Sequence, residues 1–282
     1  MELGIVKEKE GGKLSKIKVN NVELYYQSVG NGSETILFSH GCLMNNTMFN
    51  GQIDAFKDRF RCVSFDHRGH GQSEITKNGY ELDNLVTDAI SLIGALDVAP
   101  VHFVGMSTGG FVGMRIALRR PDLLKSLVLM DTSAEAESET ALKQYNLLLW
   151  MVKYVGWWAV IGQVLPILFH KNFLKDDSRK TEVKNWRNIV TGHSKKGVVP
   201  FCKGIFARNS VLEQLADLSL AAAVIVGEQD IVATPDYAQR MAEVIPNAKL
   251  YKIQDAGHSA AVEKPTEVTG AIRDFYTSAG II

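Results

Sequence analysis

The sequence predicts an α/β fold: a mostly parallel sheet with helices on both faces, plus a helical cap inserted after the sixth strand. Three observations predict it. Apolar, strand-like runs alternate with helix-like segments along most of the 282 residues, and the runs are continuously apolar, as strands buried on both faces must be. The alternation stops between residues 134 and 212, in a block of irregular helical spacing that holds all four tryptophans, Trp150, Trp157, Trp158 and Trp186. Finally, Gly105-Met106-Ser107-Thr108-Gly109 lies between an apolar run and an apolar helix and reads G-x-S-x-G, a pattern that holds a serine on a sharp strand-to-helix turn.

In chain order, residues 14–19 and 22–28 read as two strands joined at Asn20-Asn21, residues suited to a tight hairpin turn. Residues 35–39 and 61–65 are short apolar strands. Within 81–96, Leu82, Leu85, Val86, Ala89, Ile90, Ile93 and Leu96 recur at helical spacing and give one buried face. Residues 101–104 lead into Ser107, and 126–130 form the next strand, ending at Asp131. Residues 222–226 and 249–253 complete the set. Pro235 and Pro265 each open a helix, the second reaching about residue 276, because proline suits the first helical turn. The predicted organisation is a first core segment (1–133), a helical cap (134–212) and a second core segment (213–282).

Composition narrows the class. With 46% apolar residues the chain can bury a large core, and 31 basic residues balance 31 acidic ones, so no nucleic-acid partner is indicated. Cys42, Cys62 and Cys202 are widely spaced and show no C-x-x-C, which argues against a zinc site and a disulfide framework. That usage fits a reducing, cytoplasmic compartment. The first eighteen residues are rich in charge and no apolar segment follows, unlike a secretory signal. Residues 147–169 are apolar enough to resemble a membrane span, but Lys153 and Gln163 interrupt them and Gly156 and Pro166 break them. A buried cap is expected there, with no membrane span.

The chemistry is read from residue types. A serine hydroxyl is a weak nucleophile at neutral pH and needs a base to take its proton. His258, in Asp255-Ala256-Gly257-His258-Ser259, follows the last strand, where ligands of parallel sheets bind. Asp230, just past the preceding strand, can orient it, and the order Ser107, Asp230, His258 is that of the nucleophile-elbow fold. Asp131 also ends a strand and competes for the same role.

Four features, in order, carry a resemblance: Ser39-His40-Gly41, the loop from Asp66-His67-Arg68-Gly69-His70 to Gly71-Gln72-Ser73, Gly105-Met106-Ser107-Thr108-Gly109-Gly110, and the Asp230 and His258 loops. Over nearly its whole length the chain resembles the α/β-hydrolase fold superfamily, and is similar to bacterial carboxylesterases, enol-lactonases and cofactor-free haloperoxidase-like esterases. The resemblance implies Ser107 as nucleophile, His258 as base and then acid, and Asp230 as the orienting carboxylate. It further implies an oxyanion hole from the backbone N–H groups of Cys42 and Thr108, each typically contributing about 2.7–4 kcal/mol. No cofactor is implied. Serine at the nucleophile position argues against the aspartate chemistry of dehalogenases and epoxide hydrolases.

The expected activity is cleavage of a small carboxylic ester or lactone, the expected partner of the protein. A carbon–carbon hydrolase or perhydrolase with the same triad, and a slow-turnover small-molecule receptor, are the alternatives. His40, Trp150, Trp157 and Trp158 are candidate pocket residues, although His40 also fits a structural loop and the tryptophans fit cap packing. Lys153, Lys171, Lys175 and Arg179 offer a carboxylate contact at the cap rim. His67 and His70 read as structural, with Asp66 fixing their turn.

Overall fold

The computed structural model describes residues 13–282. The first twelve residues of the charged N-terminal stretch lie outside the described residues. Eight strands form one sheet: β1 (Lys13–Val19), β2 (Val22–Val29), β3 (Thr35–Ser39), β4 (Arg61–Phe65), β5 (Val101–Met106), β6 (Leu124–Met130), β7 (Ala221–Gly227) and β8 (Lys249–Ile253). Their spatial order is β1-β2-β4-β3-β5-β6-β7-β8. The first two strands are antiparallel to their neighbours and all later pairs are parallel. The expected hairpin is present: Asn20 and Asn21 both take positive φ, 42° and 58°, and Val19 faces Val22.

The helices of the core are α1 (Asn50–Phe56), α2 (Leu82–Ala95), α3 (Thr108–Arg119), then α9 (Pro235–Val244), α10 (Ala260–Glu263) and α11 (Pro265–Ser278). Between β6 and β7 lie α4 (Glu139–Tyr154), α5 (Ile161–Leu168), α6 (Lys171–Lys175), α7 (Lys180–Gly192) and α8 (Lys195–Phe206). The ends of this insertion meet, the Val211 N–H donating to the Ala134 carbonyl at 2.8 Å.

The central strands β3 and β5 are buried at every position. Successive residues therefore feed two cores. Leu37, Phe103 and Leu127 pack with α2 and α3 on one face, while Ile36, Phe38, Val104 and Val128 pack with α1 and α11 on the other. Each such large side chain contributes about 1.5–3 kcal/mol by leaving water.

One element went unread in the sequence, and one expectation needs correction. Helix α1 carried no reading, because its Asn-Gly start hides the buried Gln52, Ile53 and Phe56. Pro166 was expected to break the apolar run, yet it lies inside α5. The carbonyl it deprives of a donor is that of Gly162, which is exposed to solvent. Gly156 does break the run, with φ 123° after α4. Among the described residues no helix is long and apolar enough to cross a membrane.

Candidate active site

The strand order reverses direction around β3, so the loops after β3 and β5 leave the sheet side by side, with Ser39 paired to Gly105. Ser107 sits between β5 and α3 with φ 51° and ψ −110°, a conformation costly for a residue with a side chain. Its neighbours must be glycine for steric reasons. A Cβ on Gly105 would strike the Gly109 carbonyl, and one on Gly109 would strike the Ser39 carbonyl. The elbow is tied down by Ser107 N–H to the Met130 carbonyl (2.9 Å) and by the Thr132 hydroxyl donating to the Ser107 carbonyl (2.8 Å).

His258 Nε2 lies 3.1 Å from the Ser107 hydroxyl, and its Nδ1 lies 2.8 Å from Asp230 Oδ2. The other Asp230 oxygen accepts from the N–H groups of Val232 (2.8 Å) and Ala233 (3.0 Å). All three side chains are buried. Asp131 does not reach the imidazole. Its carboxylate accepts from Gly227 N–H at 2.8 Å and Ala260 N–H at 3.0 Å, tying the two loops that carry Asp230 and His258 to the sheet. Burial and the nearby Asp230 charge push the Asp131 carboxyl well above its usual range.

Glu263 was not singled out from the sequence. Its carboxylate accepts from the N–H groups of Gly257 (3.1 Å), Ser259 (3.3 Å) and His170 (2.9 Å), clamping the His258 loop and the cap to one point. Burial pushes its carboxyl up, and these donors oppose the shift. A lone acid closing the apolar run Ala260-Ala261-Val262 was the available signal.

Thr108 is the first residue of α3, so its N–H has no partner within the helix. The Cys42 N–H also makes no hydrogen bond among the described residues. The Cys42 thiol lies 3.2 Å from the Cys202 thiol of α8, and all three cysteines are free. The Cys202 contact and burial push the Cys42 thiol well above its ordinary value, which disfavours the thiolate.

Ser107 and His258 open into an apolar cleft between the sheet and the α4–α8 insertion. Phe111, Leu149, Val152, Trp157 and Leu168 form much of its wall. Its polar part is a wall the sequence reading did not anticipate: Tyr145 stacks on Phe206, and Arg208 pairs with Glu137 at 2.7 Å while lying over the Phe111 ring.

Of the candidate pocket residues, only Trp157 lines this cleft, with its N–H donating to the His193 carbonyl at 3.1 Å. Trp150 and Trp158 point outward, being 54% and 79% exposed. Each belongs to a face of its segment turned away from the core. His40 is fully buried beside the site and is engaged by backbone: Nδ1–H donates to the Gly41 carbonyl (2.7 Å) and Nε2 accepts from His67 N–H (3.0 Å). Asp66 accepts from Asn46 and Gln72 N–H and so holds its turn. Lys171 and Lys175 border a second groove, whose lining includes Asp230 and His258. Arg179 is occupied by Glu182 and by the carbonyls of Val262 and Glu263, and Lys153 lies over the Tyr154 ring. Among the described residues no group of three His, Cys, Asp or Glu side chains is arranged to hold a metal ion.

Comparison with known proteins bears on the fold and the family. The family model described as alpha/beta hydrolase fold matches residues 34–265. The chain is 28% identical to 3-oxoadipate enol-lactonase 2 of Acinetobacter baylyi, over 91% of this chain and 94% of that one. It superposes on the enol-lactonase of Burkholderia xenovorans with a TM-score of 0.87 at 27% identity, covering 93% of this chain and 100% of the other. A thermophilic esterase from Thermogutta terrifontis gives 0.87 at 26% identity, with coverages of 94% and 99%.

Proposed function

The chain belongs to the α/β-hydrolase fold family and is a hydrolase, and from that premise we propose that it cleaves a small carboxylic ester or lactone through an acyl-enzyme on Ser107. The observation that carries the reading is the continuous relay from the Ser107 hydroxyl through His258 to Asp230, opening into an apolar cleft. The similarity to enol-lactonases and to an esterase supports the same bond type.

Each step follows from a group in place. The Ser107 hydroxyl attacks the carbonyl carbon while His258 Nε2 takes its proton. Asp230, itself anchored by two backbone N–H groups, keeps the imidazole in the tautomer with Nε2 free and stabilises the imidazolium that forms. The carbonyl oxygen gains charge as it becomes tetrahedral, and the N–H groups of Thr108 and Cys42 are the donors available to it. The N-terminal end of α3 adds the favourable field of its dipole. His258 then protonates the leaving oxygen. Water activated by the same imidazole attacks the acyl-enzyme, and the acid departs. For a lactone the leaving oxygen remains attached to the acyl group, so the first step opens the ring without releasing a product.

The cleft sets what fits. Its walls favour an apolar acyl or alcohol portion, and the Glu137–Arg208 pair with Tyr145 provides one polar position for a substrate oxygen or N–H. The test is hydrolysis of short nitrophenyl esters and of lactones by purified protein and by Ser107→Ala. The expected result is multiple turnover that falls by about 10⁴-fold or more in the variant, whose folding cooperativity is unchanged. A fluorophosphonate should label the parent at Ser107. Parent-level hydrolysis by Ser107→Ala would overturn the assignment.

A further inference from the structure

The outer face of the cap carries an apolar patch that the cleft does not use. Among the described residues seven large hydrophobic side chains are exposed, and five of them (Leu147, Trp150, Tyr154, Val155 and Trp158) fall within twelve residues of chain. Singly exposed apolar residues are ordinary, but such a cluster marks a surface that meets something. The spacing explains how it arises. Leu147, Trp150 and Tyr154 recur at intervals of three and four and share one stripe of α4. Tyr145, Leu149 and Val152 lie on the opposite side of the same helix and line the cleft. Helix α4 is therefore apolar on two faces, one spent on the cleft and one turned to solvent. The following turn repeats the division, with Trp157 directed into the cleft and Trp158 directed out.

The chemistry of the patch selects its partner. Tryptophan and tyrosine combine an apolar ring with a polar edge, the combination that settles at the boundary between water and lipid. Cations accompany them. Exposed Lys143 continues the Leu147–Trp150–Tyr154 stripe, and the Lys153 ammonium lies 4.9 Å from the Tyr154 ring centroid. The Lys195 ammonium lies beside the Gly156 turn, 3.7 Å from where a Cβ would stand. Exposed Glu139, in the first turn of α4, is the one acid on this side of the helix. A second copy of the chain docked about a two-fold axis would bring these lysines together in an interface, where lysine is disfavoured. We propose that this face of the cap rests on an anionic lipid surface, lying in the interface without crossing it. The wall of the cleft would then be one helix away from the lipid, where apolar esters accumulate.

The proposal is tested by co-sedimentation of the whole protein with vesicles of phosphatidylcholine alone or mixed with phosphatidylglycerol at low salt. The expected result is a bound fraction about tenfold or more higher on the anionic vesicles, given the three lysines, and a blue shift of tryptophan emission. The combined variant Trp150→Ser, Tyr154→Ser, Trp158→Ser should stay in the supernatant while keeping the parent circular dichroism and melting temperature. The combined variant Lys143→Glu, Lys153→Glu, Lys195→Glu should lose the preference for anionic vesicles. Absence of parent binding to either vesicle would overturn the proposal, as would equal pelleting of the serine variant. So would a parent dimer, measured by light scattering without lipid, that becomes monomeric in the serine variant, since that would assign the face to a second copy.

Discussion

Ser107, the proposed nucleophile, sits in a strained conformation, and the proposed role and the strain can be separated by substitution. Its φ of 51° is a cost that the elbow imposes on any residue with a Cβ. Ser107→Gly is expected to be more stable than Ser107→Ala by about 1 kcal/mol, read from urea unfolding, although both lack the hydroxyl. Equal stabilities would mean that the backbone there is relaxed. The two candidate carboxylates separate in the same way. Asp230→Asn should lower turnover by about 10³–10⁴-fold with little loss of stability, because the amide still offers an oxygen to Val232 and Ala233 but disturbs the imidazole tautomer. Asp131→Asn should act mainly on stability, since it loses one of two buried acceptors for Gly227 and Ala260.

At the scale of elements, the Asp66–Ser73 loop shows how a polar segment becomes rigid enough to flank the site. Arg68 makes a bidentate pair with Asp88 of α2, through Nε (2.6 Å) and a terminal guanidinium nitrogen (2.5 Å), and both side chains are buried. Asn20 of the β1–β2 turn donates to the same carboxylate at 2.8 Å. One buried pair thus joins hairpin, loop and helix. Asp88→Ala leaves the guanidinium buried without its counter-charge and should cost about 3–5 kcal/mol of unfolding free energy. A loss below 1 kcal/mol would show that water reaches the pair. The helical period of α2 was plain in the sequence, but Asp88 sits on its buried face and the partner that justifies it comes from a separate loop.

For the whole molecule, the seam between core and cap is where pH should act. His40, His67 and His70 of the core gather with His193 of the cap, the His70 and His193 rings 4.7 Å apart. His70 Nε2 accepts from Leu43 N–H, while His193 Nε2 donates to the Leu43 carbonyl. Burial and mutual repulsion hold His40 and His70 well below the ordinary value of 6.5, and burial takes His67 down to about 3. A base whose folded pKa is depressed contributes its stability above 6.5 and loses it as pH falls towards the folded value. Each such histidine should cost up to about 2 kcal/mol at pH 5. Asp66, pushed by burial up to about 6, acts in the opposite direction over the same range. The informative measurement is therefore the difference between parent and His70→Gln. The variant should lose less unfolding free energy between pH 7.5 and pH 5, and equal losses would exclude His70 from the effect.

The amino-acid order carried the strand-helix alternation, the elbow at Ser107 and the candidate acids and imidazole, because each is a local pattern: an apolar period, a glycine-framed turn, an acid or imidazole just past a strand. What the chain order left open was everything that depends on which distant segments meet. Asp131 and Asp230 have equivalent sequence settings, yet in the fold both accept from backbone N–H groups and only Asp230 also meets the imidazole. Trp157 and Trp158 are neighbours of the same type, yet one faces the cleft and the other water. Glu263, Tyr145 and Arg208 join the site from segments with no motif of their own. Period and turn chemistry are properties of adjacent residues, whereas burial and charge pairing belong to the contacts a folded chain makes.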